Sequence, residues 1–205
     1  MDPEENRRGW AERSAAFSPA YYAHIGPDEV SDTLVTVLDR FADEDAAILE
    51  VGCSAGRHLA HLRQAGFTDL AGVDINDDSF DVMAEQYPGL AETGTFRTGA
   101  IEDVLPTYAD GAFDGVYSVQ TLQHVHPESE WVFAELVRVA GDLLVTAENE
   151  GDAPDRGRTG HDVSRVNDEF PLYYRDWERV FTGLGLVPLA CESEKRDTVR
   201  AFRVP

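Results

Sequence analysis

Residues 48–62, ILEVGCSAGRHLAHL, constrain this chain more than any other stretch. A short apolar run ends in a glycine-containing turn that opens directly into a helix. Strands buried on both faces of a parallel sheet read as continuous apolar runs of this kind. Gly52 and Gly56 let the backbone pass close to a ligand where a Cβ would collide. The helix that follows offers the free N–H groups of its first turn to a negative group. Eighteen residues past Gly56, a second apolar segment, Leu70–Val73, ends in Asp74, spaced to accept hydrogen bonds from a ribose. These residues alone predict a nucleoside-bearing ligand above the carboxyl ends of the first two strands.

The rest of the chain repeats the alternation. Residues 29–42 carry Val30, Leu34, Val37, Leu38 and Phe41 at helical spacing behind Asp28, a suitable cap. Ala46–Val51 is predicted as the first strand, and Gly56–Ala65 as a helix stopped by Gly66. After Asp74 a helix bearing Phe80, Met83 and Tyr87 is expected to close at Pro88-Gly89. Further strands are expected over 95–98, 113–119 and 143–147, with a helix opened by Pro127 and running through Val139, marked by Trp131, Glu135 and Leu136. Residues 148–169 read as a long polar excursion. A helix with Trp177, Val180 and Phe181 follows, and Leu186–Cys191 pairs with Thr198–Val204 as a closing hairpin. The pattern predicts an α/β fold: a doubly wound, mostly parallel seven-stranded sheet with helices on both faces and a C-terminal antiparallel hairpin. At 205 residues the chain fits one domain. Residues 1–45 would form an arm and helix acting as a lid, 46–147 the ligand-binding core, and 148–205 the opposite wall.

A dinucleotide fingerprint requires Gly-x-Gly-x-x-Gly with a pyrophosphate against the helix. Here the order is Glu50-x-Gly52-x-x-x-Gly56, with Ser54 two residues after Gly52. An acid directly before the turn repels a pyrophosphate and suits a cofactor with an amino group and a sulfonium. At this point the sequence resembles the class I S-adenosylmethionine-dependent methyltransferases, in which an acidic residue before a Gly-x-Gly-x-Gly-like turn forms the first motif. Ser54 stands where the middle glycine usually lies. GVDIND, residues 72–77, is similar to the second motif, GAIEDVLP, residues 99–106, to the segment that holds the adenine edge, and FDGVYSVQTLQHV, residues 113–125, to the fourth-strand motif.

The resemblance implies S-adenosylmethionine as cofactor and S-adenosylhomocysteine as product, and a set of cofactor-binding residues. These are Glu50, Gly52, Cys53, Ser54 and Gly56 in the turn, Asp74 on the ribose hydroxyls, and Ile75 beside the adenine. Ala100 replaces the family's usual Asp, so the adenine contact falls to Ile101 or Glu102. Ser118 and Val119 complete the set at the end of the fourth strand. Methyl transfer is an in-line displacement, so the protein has to align the partners and exclude water. If the acceptor is a hydroxyl or an acid, His124 is the candidate general base. Trp10, Tyr21 and Tyr22 are lid or acceptor residues. Glu148, Asn149, His161, Phe170 and Tyr173 would form the facing wall, with Glu148 and Tyr173 as acceptor contacts. Bland readings stand beside these: Asp74 as a helix cap, Glu102 as a solvated acid, His124 and His126 as loop or cap residues, and the Tyr21-Tyr22 and Tyr173-Tyr174 pairs as packing aromatics. The favoured acceptor is a small molecule. A protein or RNA acceptor, a binding module without turnover and, against Glu50, a nicotinamide oxidoreductase remain open.

Composition narrows the partners. Asp and Glu number 39 against 17 Lys and Arg, a net charge of −22, and Lys195 is the sole lysine. At about 1 M salt the Debye length falls to roughly 3 Å and such self-repulsion is screened. A salt-rich cytoplasm and a halophilic source are therefore expected, against the plainer alternative of an arginine-biased genome. Nucleic-acid binding needs basic patches that this charge does not favour. No apolar run approaches the roughly 18 residues of a membrane helix, and the charged first residues do not form a secretory signal. Cys53 and Cys191 fit no disulfide framework. His58 and His61 lie one turn apart without a carboxylate or cysteine to complete a metal site, so no metal is expected. A monomer or homodimer is expected.

Overall fold

The computed structural model describes residues 2–151, 163–166 and 170–205. The chain begins with α1 (Pro3–Ala11), α2 (Pro19–Ile25) and α3 (Glu29–Phe41), then alternates β1 (Ala47–Val51), α4 (Arg57–Ala65), β2 (Asp69–Asp74), α5 (Ser79–Gln86), α6 (Pro88–Thr93), β3 (Thr95–Thr98), α7 (Ile101–Val104), β4 (Phe113–Val119), α8 (Val132–Val139) and β5 (Ala140–Glu148). It ends with β6 (Val163–Val166), β7 (Phe170–Tyr173), α9 (Trp177–Gly183), β8 (Val187–Ser193) and β9 (Thr198–Arg203).

The main sheet has seven strands in the order β3-β2-β1-β4-β5-β9-β8. The first five are parallel, and β9 pairs antiparallel with both β5 and β8. Side chains along each strand alternate between faces, and the core divides accordingly. Ile48, Tyr117 and Val145 pack with Leu34, Leu38, Leu59 and Met83 of α3, α4 and α5. Leu49, Val116 and Leu144 pack with Phe133, Leu136, Trp177 and Phe181 of α8 and α9. This is the doubly wound architecture with its closing hairpin expected from the sequence. Strand order reverses between β1 and β4, which opens a crevice above their carboxyl ends.

Local chemistry sets the elements that carry this crevice. Asp28 caps α3 through a reciprocal pair, Ser31 N–H to Asp28 Oδ1 at 3.2 Å and Asp28 N–H to Ser31 Oγ at 3.0 Å. The helix bearing Phe80 and Met83 closes before Pro88-Gly89 as expected, α5 ending at Gln86 with Tyr87 as its cap, and Pro88, whose missing N–H costs nothing at a first turn, starts a further helix, α6. One expected boundary needs correction. No single helix runs from Pro127 to Val139. Residues Pro127–Ser129 form a 3-10 turn, α8 begins only at Val132, and the bonds between them close three residues apart: Glu130 N–H to Pro127 O, Phe133 N–H to Glu130 O. Trp131 is 51% exposed and so does not mark an inward turn. A second, two-stranded sheet pairs β6 with β7 in antiparallel register, Val163 opposite Tyr173. His161 and most of the polar stretch after Gly151 lie outside the described residues.

Candidate active site

The turn after β1 is tied to its neighbour strand. Gly52 N–H and Cys53 N–H both donate to Val73 O, at 2.8 and 3.1 Å, which folds the chain over the end of β2. Gly52 has φ +71°, and a Cβ there would collide with the Thr121 side chain, so the turns after β1 and β4 touch because this residue is glycine. Ser54 also takes a left-handed conformation, φ +50°. Its N–H donates to Asp74 Oδ2 at 2.7 Å, an anchor that holds a serine where glycine is the easier choice.

Asp74 is a hub. Besides Ser54, its Oδ1 accepts from Asn76 N–H at 2.9 Å and from Ser79 Oγ at 2.9 Å. Burial raises its pKa, against the pull of these donors. Glu50 is 1% exposed and accepts a hydrogen bond from Tyr117 Oη at 3.0 Å. Burial pushes its pKa well up, opposed by the Tyr117 hydrogen bond and the Arg57 charge. Arg57, the first residue of α4, donates to Asp28 Oδ2 at 2.7 Å and to Gly26 O at 3.1 Å.

These groups line a crevice of about 1130 Å³ that includes its solvent-open mouth. Glu50, Gly52, Cys53, Ser54, Asp74, Ile75, Ile101, Glu102 and Val119 all face it. So do Tyr22 and His124 among the expected acceptor residues. The opposite wall is α1 and the loop after it: Asn6, Arg7, Trp10, Arg13 and Phe17. Asn76 Nδ2 ties that wall to the end of β2 by donating to Arg13 O at 3.0 Å.

Five expected site residues lie elsewhere. Gly56 stands one step behind the lining: its φ is +78°, and a Cβ would meet Met83 Cε at 2.6 Å. Ser118 Oγ donates to Glu148 Oε1 at 2.8 Å rather than facing the crevice. Glu148, fully buried, does not form the facing wall. Besides Ser118 it accepts from the N–H groups of Thr121, Leu122 and Gln123, at 3.2, 3.0 and 3.1 Å, and so caps the 3-10 turn Leu122–His124. Burial raises its pKa to about 7, and these donors pull the other way. Tyr21 is 40% exposed and packs on Phe17 and Tyr22, while Tyr173 meets His126 edge-on with centroids 5.8 Å apart. Neither lines the crevice.

His124 is held on both ring nitrogens. Nδ1 lies 3.0 Å from Pro171 O, and a carbonyl only accepts, so Nδ1 carries the proton. The other nitrogen, Nε2, then accepts from Gln123 Nε2 at 3.3 Å, with the amide orientation set by Asn149 N–H donating to Gln123 Oε1 at 2.9 Å. Burial lowers the His124 pKa to about 4, so the ring is neutral near pH 7. Two other histidines are committed to the fold: His58 Nδ1 sits 2.9 Å from Ser31 Oγ, and His61 pairs with Asp32 at 2.8 Å. Among the described residues no group of three or more His, Cys, Asp or Glu side chains could hold a metal ion.

Sequence reasoning missed Tyr117, Arg57 and Gln120. Tyr117 lies directly beside Glu50 in the β1–β4 register, a pairing recoverable by aligning the two strands. Arg57 puts a cation at a helix N-terminus, against the dipole, which is a signal of another duty. Gln120, φ +49°, lines the crevice after β4 and gave no sequence signal.

Residues 49–142 match the family model described as "Methyltransferase domain". An O-methyltransferase of Pyrenophora dematioidea is 22% identical over 120 residues, covering 52% of this chain and 45% of that protein. The chain thus spans about half the length of the curated relatives it matches. Among solved structures, magnesium protoporphyrin IX methyltransferase from Synechocystis PCC 6803 with bound S-adenosylmethionine superposes with a TM-score of 0.64 at 16% identity, covering 98% of this chain and 90% of that one. The Burkholderia thailandensis 1,6-didemethyltoxoflavin-N1-methyltransferase, with bound 1,6-didemethyltoxoflavin and S-adenosylhomocysteine, gives 0.66 at 13% identity, with 98% and 83% covered. Residues 49–142, just under half of the chain, thus match a methyltransferase domain, and the strand order, the Glu50 turn and Asp74 agree with that match.

Proposed function

We propose that this chain transfers the methyl group of S-adenosylmethionine to a small-molecule acceptor. One observation carries the reading: Glu50, the Gly52–Ser54 turn and Asp74 share one crevice with an aromatic wall. The residues fit the cofactor chemically. Glu50 and Arg57 offer opposite charges to a zwitterionic amino-acid end, Asp74 offers a carboxylate to ribose hydroxyls, and Ile75 and Ile101 offer apolar surface to a base. An acid in the place of Glu50 is a poor neighbour for a pyrophosphate, which disfavours a dinucleotide.

When bound, S-adenosylmethionine supplies a methyl carbon activated by a sulfonium, whose sulfur keeps the electron pair as the carbon passes to the acceptor. The protein aligns acceptor and carbon and excludes water. Trp10 and His124, with ring centroids 4.6 Å apart, close the crevice on the acceptor side. His124 is neutral near pH 7 and takes a proton only by giving up Gln123, so it serves an acceptor whose own proton is acidic. Relatives that are O-methyltransferases and an ajmaline N-methyltransferase support a small acceptor. A cytoplasmic, salt-rich setting belongs to the same proposal, supported by the net charge of −22. No described helix is long and apolar enough to cross a membrane.

Calorimetric titration with S-adenosylmethionine, S-adenosylhomocysteine and NAD tests the cofactor. The two sulfur nucleosides are expected to bind and NAD is not. Tight NAD binding with silence from the other two overturns the proposal. Cofactor binding with no methylated product across a broad acceptor panel would make the chain a binding module instead.

A further inference from the structure

The proposed activity leaves the acceptor open, and the wall facing the cofactor half narrows it. Pro3, Asn6, Arg7 and Trp10 of α1 line the crevice at helical spacing, so a single face of the helix is turned inward. The acids of this segment, Glu4, Glu5 and Glu12, are exposed instead. In a chain of net charge −22, the charged side chains that this arm gives to the crevice are Arg7 and Arg13. Across from them, the cofactor half carries Glu50, Asp74 and Glu102, and a single arginine, Arg57, whose guanidinium is paired with Asp28 at 2.7 Å. The crevice is therefore polarised, cationic on the arm side and anionic on the other.

The same helix face carries two buried polar atoms with no protein partner, the Trp10 Nε1–H donor and the Asn6 Oδ1 acceptor. The Asn6 orientation is fixed, because its Nδ2 donates to His124 O at 2.8 Å. Buried polar groups are ordinarily paired, and these two are four residues apart on the lining face. Trp10 is itself locked between His124 and Phe170, with centroids 4.6 and 4.5 Å away, so its indole is a fixed surface rather than a mobile one.

Resting on the methyltransferase reading, we propose that α1 forms the acceptor subsite and takes a planar aromatic molecule bearing a carboxylate and a hydroxyl. Trp10, Phe17 and Tyr22 match an aromatic ring, and the arginine side matches the carboxylate. A hydroxyl both accepts from an indole N–H and donates to an amide oxygen. The acids of the cofactor half repel the carboxylate and so orient the ring with its charge toward the arm. An aryl hydroxyl also asks little of a base, in keeping with the committed lone pair of His124.

The test is titration of the protein saturated with S-adenosylhomocysteine, using 4-hydroxybenzoate, its neutral amide 4-hydroxybenzamide, and tyramine. The carboxylate is expected to bind about ten-fold more tightly than the amide, with tyramine weakest. Arg7→Gln should abolish the preference for the carboxylate over the amide. Trp10→Phe should weaken 4-hydroxybenzoate while leaving S-adenosylhomocysteine affinity as it was, which also verifies that the variant folds. Equal binding of carboxylate and amide, a preference that survives Arg7→Gln, or no binding of any probe overturns the subsite. Loss of S-adenosylhomocysteine binding by the unmodified protein would instead strike the methyltransferase reading itself.

Discussion

Asp74 holds three chain donors, Ser54 N–H, Asn76 N–H and Ser79 Oγ, while its carboxylate also faces the crevice. Removing its charge therefore weakens a ligand contact and loosens the turn that frames it. Asp74→Asn is expected to weaken S-adenosylhomocysteine binding by about 1.5–3 kcal/mol, roughly ten- to a hundred-fold, the value of a hydrogen bond to a charged group. Calorimetry checks this, and an unchanged affinity would remove Asp74 from the site. His124 makes a prediction in pH. Its folded pKa of about 4 lies below the ordinary 6.5, so the native state holds the ring neutral while the unfolded chain takes up a proton. The stabilisation is fully present above pH 6.5 and is lost as pH falls through 4. In urea unfolding, the cost of His124→Gln should accordingly be larger at pH 7.5 than at pH 5.0. A pH-independent cost would mean the imidazole is not held neutral.

At the scale of elements, the 3-10 turn Leu122–His124 is bracketed by two buried charges. Glu148 accepts the N–H groups at its start, and Arg175 donates to Leu122 O at 3.2 Å and Val125 O at 2.7 Å at its end. Each charge lies where the backbone dipoles of the turn favour it. Arg175 is completed by Glu130 at 2.8 Å and sits over the rings of Phe133, Tyr173 and Trp177. Arg175→Met removes the buried donor from Leu122 O and Val125 O and the cation beside Glu130, and is expected to cost about 3–5 kcal/mol, lowering Tm by roughly 10 °C. A thermal melt within a degree of the parent would show that the bracket contributes nothing. The bracket also explains what sequence reasoning could and could not recover. Elements whose signal is local were legible: the apolar run 48–51, the Asp28 cap, the Gly52 turn, the alternation that builds the sheet. Glu148 was assigned to the acceptor wall because it follows β5, and only the parallel pairing of β4 with β5 reveals that it reaches back under the turn after β4. Arg175 and Gln123 matter through partners 50 and 26 residues away, a separation that periodicity and motif spacing do not encode. Pro127 misled at a boundary because it opens a 3-10 turn rather than the helix that follows.

For the molecule as a whole, the net charge of −22 is carried by a surface on which several of the cations are already paired. Arg138 binds Asp110 at 2.7 Å and Glu135 at 2.8 Å, and Lys195 binds Glu29 at 2.9 Å. Exposed pairs of this kind contribute at most about 1 kcal/mol each, so they offset little of the repulsion among the remaining carboxylates. That repulsion acts over the Debye length, about 10 Å at 0.1 M salt and about 3 Å at 1 M. The contacts that build the site, Arg175 with the Leu122 and Val125 carbonyls and Asp74 with its donors, are largely shielded from the solvent ions and respond far less. Salt should thus stabilise the fold globally without loosening the site. Raising KCl from 0.1 to 3 M is expected to lift Tm by roughly 10 °C, the shift that a few kcal/mol produces in a chain of this size. S-adenosylhomocysteine affinity, dominated by buried contacts, should fall by much less than the surface term would imply. An equal or lower Tm in 3 M KCl would mean that the acidic surface is not an adaptation to salt, and that the arginine bias comes from base composition instead.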